Sequence, residues 1–139
     1  MKTINIYTDG SYSALKNIGK WAFIAIENDK IIFQDSGLIT DKLILTGFQV
    51  GAECEAVTQA LTWAKNNGYK ANIYFDFQNL RFWIADLFGE KPWKTNKPYT
   101  AEYRKKVLEL REHLDSMVKV KSHSGVLHNE LVDQLAKIN

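Results

Sequence analysis

Four carboxylates stand where an extended or helical segment would leave them beside one another. Asp9 closes the alternating run that opens the chain, in Tyr7-Thr8-Asp9-Gly10-Ser11. Asp76 follows the apolar run Ile73-Tyr74-Phe75, Glu53 falls in the first turn of a helical stretch that starts near Ala52, and Asp133 lies beside the seam Leu131/Leu135 of a last helix. Several anions brought together would hold on to their protons unless a cation joined them. A cluster of oxygens without thiols or paired imidazoles suits a hard divalent ion, Mg²⁺ or Mn²⁺, and does not suit zinc. Each acid also has an ordinary structural reading: Asp9 as a turn residue before Gly10, Glu53 as an acid at a helix N-terminus with Glu55 competing, Asp76 as a cap, and Asp133 as surface. The joint pattern is more informative than any one of the four.

The elements that must position these groups follow from periodicity. Ile4–Thr8, Trp21–Glu27 and Ile31–Ile39 read as strands, the last two joined at Asn28-Asp29-Lys30, and their short connections favour an antiparallel meander. Val57, Ala60, Leu61 and Ala64 then recur at helical spacing, and Gly68 is placed to cap that helix. Ala71–Phe75 reads as a strand, followed by an apolar run Leu80–Phe88 that Gly89 closes. Tyr103, Val107, Leu110, Leu114 and Met117 predict one long helix, Val118 and Val120 a last strand, and Leu127, Leu131, Leu135 and Ile138 a final helix. Strand–helix–strand units require parallel pairing with right-handed crossovers. The expected fold is α/β: a mixed sheet of five strands, three antiparallel and then parallel ones, flanked by helices in one domain over residues 1–139. In such sheets chemistry gathers at the carboxyl ends of the parallel strands.

Composition limits the class further. The chain has 139 residues, 45% hydrophobic and 12% aromatic, with one cysteine and a formal charge of +2. The lone Cys54 excludes a disulfide framework and fits a cytoplasmic setting. No uncharged run approaches the roughly 20 residues of a membrane span. The small net charge conceals an uneven distribution. Residues 1–90 carry eight Lys/Arg and ten Asp/Glu, a net of −2, whereas residues 91–121 carry nine against four, a net of +5. Trp93, Tyr99 and Tyr103 are interleaved with those cations, a composition suited to phosphates and equally found on a solvated helix face.

The blocks Tyr7–Ser11, Ala52–Val57, Ile73–Gln78, and Val120–Gly125 with Asn129–Ala136 resemble, in order and over essentially the whole chain, the four signature blocks of type 1 ribonuclease H. The nearest style is the viroplasmin-like and bacterial or phage branch, with Val50-Gly51-Ala52 before the glutamate. The resemblance implies hydrolysis of the RNA strand of RNA–DNA hybrids, leaving 5′-phosphate and 3′-hydroxyl ends. It implies that Asp9, Glu53, Asp76 and Asp133 bind two Mg²⁺ ions, with Mn²⁺ a possible substitute, one on the side of the attacking water and one on that of the leaving oxygen. Glu53 is preferred to Glu55 because Ala56, Ala60 and Leu61 then fall where the family places small and apolar residues. His123 takes the position of a histidine that assists proton transfer or product release. Gly10, Ser11, Gln49, Gln78, Trp93, Lys94, Lys97 and Asn129 match substrate-side positions. The implied partner is a hybrid duplex, with no membrane, and the implied state is a cytoplasmic monomer.

The chain departs from the pattern in four places. Phe48-Gln49-Val50-Gly51 replaces an asparagine-rich run, Phe77 replaces a small polar residue, Tyr12–Gly19 is a thinned glycine turn, and the basic handle Trp93–Lys97 is shortened. Two other readings remain at this point: a silent module that binds hybrid or double-stranded RNA, and a DNA-cutting nuclease on the same fold.

Overall fold

A computed structural model describes residues 1–121 and 127–138. Five strands, β1 (Lys2–Ser13), β2 (Ile18–Glu27), β3 (Lys30–Leu38), β4 (Tyr69–Phe75) and β5 (Leu114–Lys119), form one sheet in the order β3-β2-β1-β4-β5. Pairings β1/β2 and β2/β3 are antiparallel, whereas β1/β4 and β4/β5 are parallel. Asn28 and Asp29, at φ 51° and 63°, make the two-residue hairpin between β2 and β3, the left-handed pair that matches strand twist.

The helices are α1 (Lys42–Leu45), α2 (Phe48–Asn66), α3 (Asn79–Phe82), α4 (Pro98–Glu109) and α5 (Leu127–Leu135). On one face of the sheet, Val57, Ala60 and Leu61 of α2 and Tyr103 and Val107 of α4 pack with Ile4, Ile6, Phe23, Ile73 and Phe75. On the other face, Val132 of α5 and Ala136 just beyond it pack on Ala22, Ile24 and Ile26. Strand β2 is therefore covered on both faces, as its apolar run requires.

The elements differ from the periodicity in four ways. β1 does not end near Asp9 but continues to Ser13, paired with β2 as far as Ser13↔Ile18. What ends early is its parallel partnership with β4, whose last pair is Tyr7↔Tyr74. The sheet opens there, and Asp9 and Asp76 flank the opening. Helix α2 begins at Phe48, so Glu53 sits in its second turn and not its first. The long helix expected through Met117 stops at Glu109, and Leu114 and Met117 belong to β5. A register shift opposite Ala71/Asn72 adds a residue to β5, so two inward side chains fall three apart and imitate a helical step. In α5 the buried face is Asn129 and Val132, while Leu127 and Leu131 are exposed.

Candidate active site

Asp9, Glu53 and Asp76 each offer a carboxylate oxygen, and these atoms all lie within 4.8 Å of one another. They line an open cleft of about 470 Å³ whose walls also include Gly10, Gln49, Val50, Phe77 and Asp133. The opening between β1 and β4 supplies Asp9 and Asp76, α2 presents Glu53 from one side, and α5 presents Asp133.

Glu53 reaches Asp9 because α2 lies against β1 without a gap. A Cβ on Gly10 would stand 2.3 Å from the Ala52 carbonyl carbon and 2.5 Å from the Glu53 nitrogen, both backbone atoms. Only glycine permits that approach. The Gly10 N–H donates to Glu53 Oε1 at 3.2 Å. The Gln49 amide donates to the Gly10 carbonyl at 2.6 Å and to Glu53 Oε1 at 3.1 Å. Gln49 thus fastens the helix to the strand and aims the glutamate. Glu53 Oε2 is buried without a hydrogen-bond partner, an expense that folded proteins rarely leave uncompensated.

Burial pushes the Asp9 carboxyl far above the ordinary carboxylate range, and the neighbouring carboxyl groups of Asp133 and Glu53 push it further. Glu53 is raised to about 8, by burial first and then by the charge of Asp76, against the opposing influence of the neighbouring Asp9 carboxyl and the bonds from Gly10 and Gln49. Protein groups alone leave these anions poorly compensated. The donor set is all carboxylate, with one oxygen wanting a partner, and it fits a hard divalent cation. Cys54 is adjacent in sequence but faces the core and is buried.

Other expected site residues divide. Gly10 and Gln49 line the cleft. Ser11 does not: its hydroxyl donates to the Ala136 carbonyl, and with the Lys20 ammonium on the Lys137 carbonyl at 3.2 Å it ties the chain end after α5 to the sheet. Lys94 and Lys97 line a second groove with Asn79, Asn96 and Tyr99, which adjoins the cleft across the shared walls Val50 and Phe77. Trp93 is half-exposed and rests on Phe82, ring centroids 4.4 Å apart. Gln78 is exposed ahead of α3 and lines neither space. Asn129 is buried, its Nδ2 unpartnered, and it too is absent from the cleft wall. His123 lies outside the described residues. Phe77 was legible only as a departure from the resembled pattern and Val50 only as part of the run and triplet before the glutamate, and their apolar types gave no sign that they wall both spaces.

The RNase H family model matches residues 1–139. The chain belongs to the RNase H family. A ribonuclease H of Syntrophomonas wolfei is 30% identical, the match covering 99% of this chain and 95% of that one. A ribonuclease H of Ehrlichia canis is 31% identical, over 99% and 94% respectively. Two solved structures share the fold: RNase H1 of the archaeon Halobacterium salinarum, with a TM-score of 0.73 at 23% identity over 96% of this chain and 93% of that one, and LC11-RNase H1 in complex with an RNA/DNA hybrid, with a TM-score of 0.70 at 18% identity over 94% of each. RNase H proteins are divalent-metal-dependent nucleases, and this chain is an enzyme of that class.

Proposed function

We propose that the protein is an endonuclease that hydrolyses the RNA strand of RNA–DNA hybrids, leaving 5′-phosphate and 3′-hydroxyl ends, within a single catalytic domain over residues 1–139. The observation that carries this reading is the convergence of three carboxylates in an open cleft that adjoins a lysine-lined groove. A relative of the same fold is held in a complex with such a hybrid.

In this reading Asp9, Glu53, Asp76 and Asp133 hold two Mg²⁺ ions, with Mn²⁺ able to substitute. When bound, such ions supply Lewis acidity at the phosphate and lower the pKa of an attacking water. The chain's own residues do the positioning. Gly10 and Gln49 fix the glutamate, α5 brings Asp133 to the cleft wall, and Phe77 and Val50 form the wall shared by cleft and groove. His123 assists proton transfer. Gln78, Ser11 and Asn129 act near the substrate or behind the site. No described helix is long and apolar enough to cross a membrane. A monomer in the cytoplasm, where the buried Cys54 stays reduced, is the proposed state.

Incubation with labelled hybrid, duplex RNA, duplex DNA and single strands, with and without EDTA, tests the reading. Cleavage confined to the RNA of the hybrid and abolished by EDTA is the expected result. An intact hybrid in both Mg²⁺ and Mn²⁺ overturns it, and cutting of duplex DNA turns it toward the DNA-cutting alternative.

Lys94 and Lys97 are expected to contact phosphate. Each phosphate contact contributes about one unit to the slope of log affinity against log salt. Combining Lys94→Ala with Lys97→Ala should flatten that slope by about two units and weaken hybrid binding at low salt. An unchanged slope would remove both lysines from the interface.

A further inference from the structure

Phe48 is the first residue of α2 and stands at φ +54°. A bulky side chain at positive φ meets a steric penalty that glycine or asparagine would largely avoid. Nor is Phe48 repaid by burial, since it remains 57% exposed. The conformation is imposed from both sides. A Cβ on Gly47 would stand 2.6 Å from the Tyr99 ring, and one on Gly51 would stand 2.0 Å from the Ile44 carbonyl oxygen. The backbone is therefore held between α1 and α4, and the ring is turned outward. Its one ring contact among the described residues is Tyr12 of β1, with centroids 5.2 Å apart and planes at 49°. The Tyr12 hydroxyl donates to Asn17 Oδ1 at 2.7 Å, which holds that second ring in turn.

Neither ring lines the cleft, but both stand close in the chain to residues that do. Tyr12 lies two residues after Gly10, and Phe48 immediately precedes Gln49 and Val50, all three of which line the cleft wall. An exposed aromatic ring, held at a steric disadvantage beside a catalytic cleft, has a local role that the fold does not require. Resting on the hybrid-cleaving reading above, we infer that Phe48, backed by Tyr12, is a substrate-contacting residue. Its ring forms an apolar surface against a sugar and base edge of the bound hybrid. The shallow minor groove of such a duplex presents these surfaces, and an aromatic ring covers a large apolar area with few rotamers to freeze.

Phe48→Gly separates this role from a structural one, because it removes the ring and relieves the backbone together. The expected result is a rise of about tenfold in KM for hybrid, with kcat within twofold, the size typical of one lost aromatic contact. The melting temperature should be unchanged or higher, and Phe48→Tyr should restore KM. Anisotropy of fluorescently labelled hybrid reads the same loss without any cleavage, so it stands even if the hybrid is not the strand pair that is cut. Placing 2-aminopurine in the RNA strand and then in the DNA strand shows which one the ring touches, through a fluorescence change that Phe48→Gly removes. Unaltered KM and unaltered anisotropy in Phe48→Gly would overturn the inference while leaving the proposed function intact. An intact hybrid with the unaltered protein would overturn the proposed function and leave the anisotropy result to decide on Phe48.

Discussion

Asp9→Asn is expected to abolish hybrid cleavage, by a factor of about a thousand or more, and at the same time to raise the melting temperature of the metal-free protein. The two effects have one cause. Asp9 is buried between Glu53 and Asp133, and in the absence of a cation its charge has no compensation. A folded-state pKa raised above the ordinary 3.8 means that folding retains a proton the unfolded chain would release. The contribution is therefore fully present below about pH 4 and is lost as pH rises through neutrality. Glu53, raised from 4.5 to about 8, acts in the same direction, and its share is lost as pH rises through about 8. The metal-free protein should thus melt at a higher temperature at pH 5 than at pH 8. The amide introduced by Asp9→Asn carries no charge and can donate to either neighbouring carboxylate, which flattens this dependence.

A bound divalent cation reverses the sign, because it favours the deprotonated carboxylates and stabilises the state to which it binds. The increment in melting temperature given by Mg²⁺ should be larger at pH 8 than at pH 5 and should collapse in Asp9→Asn. Scanning calorimetry at the two pH values, with EDTA or with Mg²⁺, checks each part. A metal-free protein more stable at pH 8, or an Asp9→Asn variant that still cleaves, would contradict the description of the cluster.

Asp76 was legible because it sits where a strongly periodic segment gives out, and the other acids because their segments are periodic enough to place them beside it. Ile73-Tyr74-Phe75 delivers Asp76 directly to the end of β4, and the small residues Ala56, Ala60 and Ala64 mark the face on which α2 meets the sheet. Events between elements were not legible. Leu114 and Met117 keep a three-residue step only because β5 is irregular opposite β4, and no count of apolar positions separates that from a helix. The buried face of α5 packs on β2 through Val132, and Ser11 ties Ala136 just beyond it, 125 residues apart in the chain. A serine after Asp-Gly looks like a cleft residue until its partner is known. Gln49 was singled out as an amide near substrate, yet its amide is bonded to Gly10 and Glu53. Side chains that hold a site together have the same polar types as those that touch a ligand, and only long-range geometry tells them apart.

Gly10→Ala tests that geometry most severely, and it is expected to remove activity without touching a carboxylate. The added methyl would meet Ala52 and Glu53 backbone atoms at 2.3 to 2.5 Å, and neither can turn aside as a side-chain tip could. Relief requires β1 and α2 to separate by about an ångström, against a fully buried helix face. Overpacking of this kind costs about 1–3 kcal/mol, which would lower the melting temperature by roughly 5–15 °C. The larger effect falls on the cleft. Separation breaks the Gly10 N–H bond to Glu53 and the Gln49 bond to the Gly10 carbonyl, so the glutamate withdraws from Asp9 and Asp76. A displacement of that size in a catalytic group lowers turnover by about a hundredfold or more. Circular dichroism should still show a folded α/β protein at 20 °C, while the cleavage rate falls and the Mg²⁺ concentration for half-maximal rate rises. The rise in metal requirement is the decisive part. Instability alone would lower the active fraction at a fixed Mg²⁺ midpoint, whereas a displaced Glu53 weakens the cation site in every folded molecule. A Gly10→Ala variant with an unshifted midpoint would show that close contact of strand and helix is not what assembles the cluster.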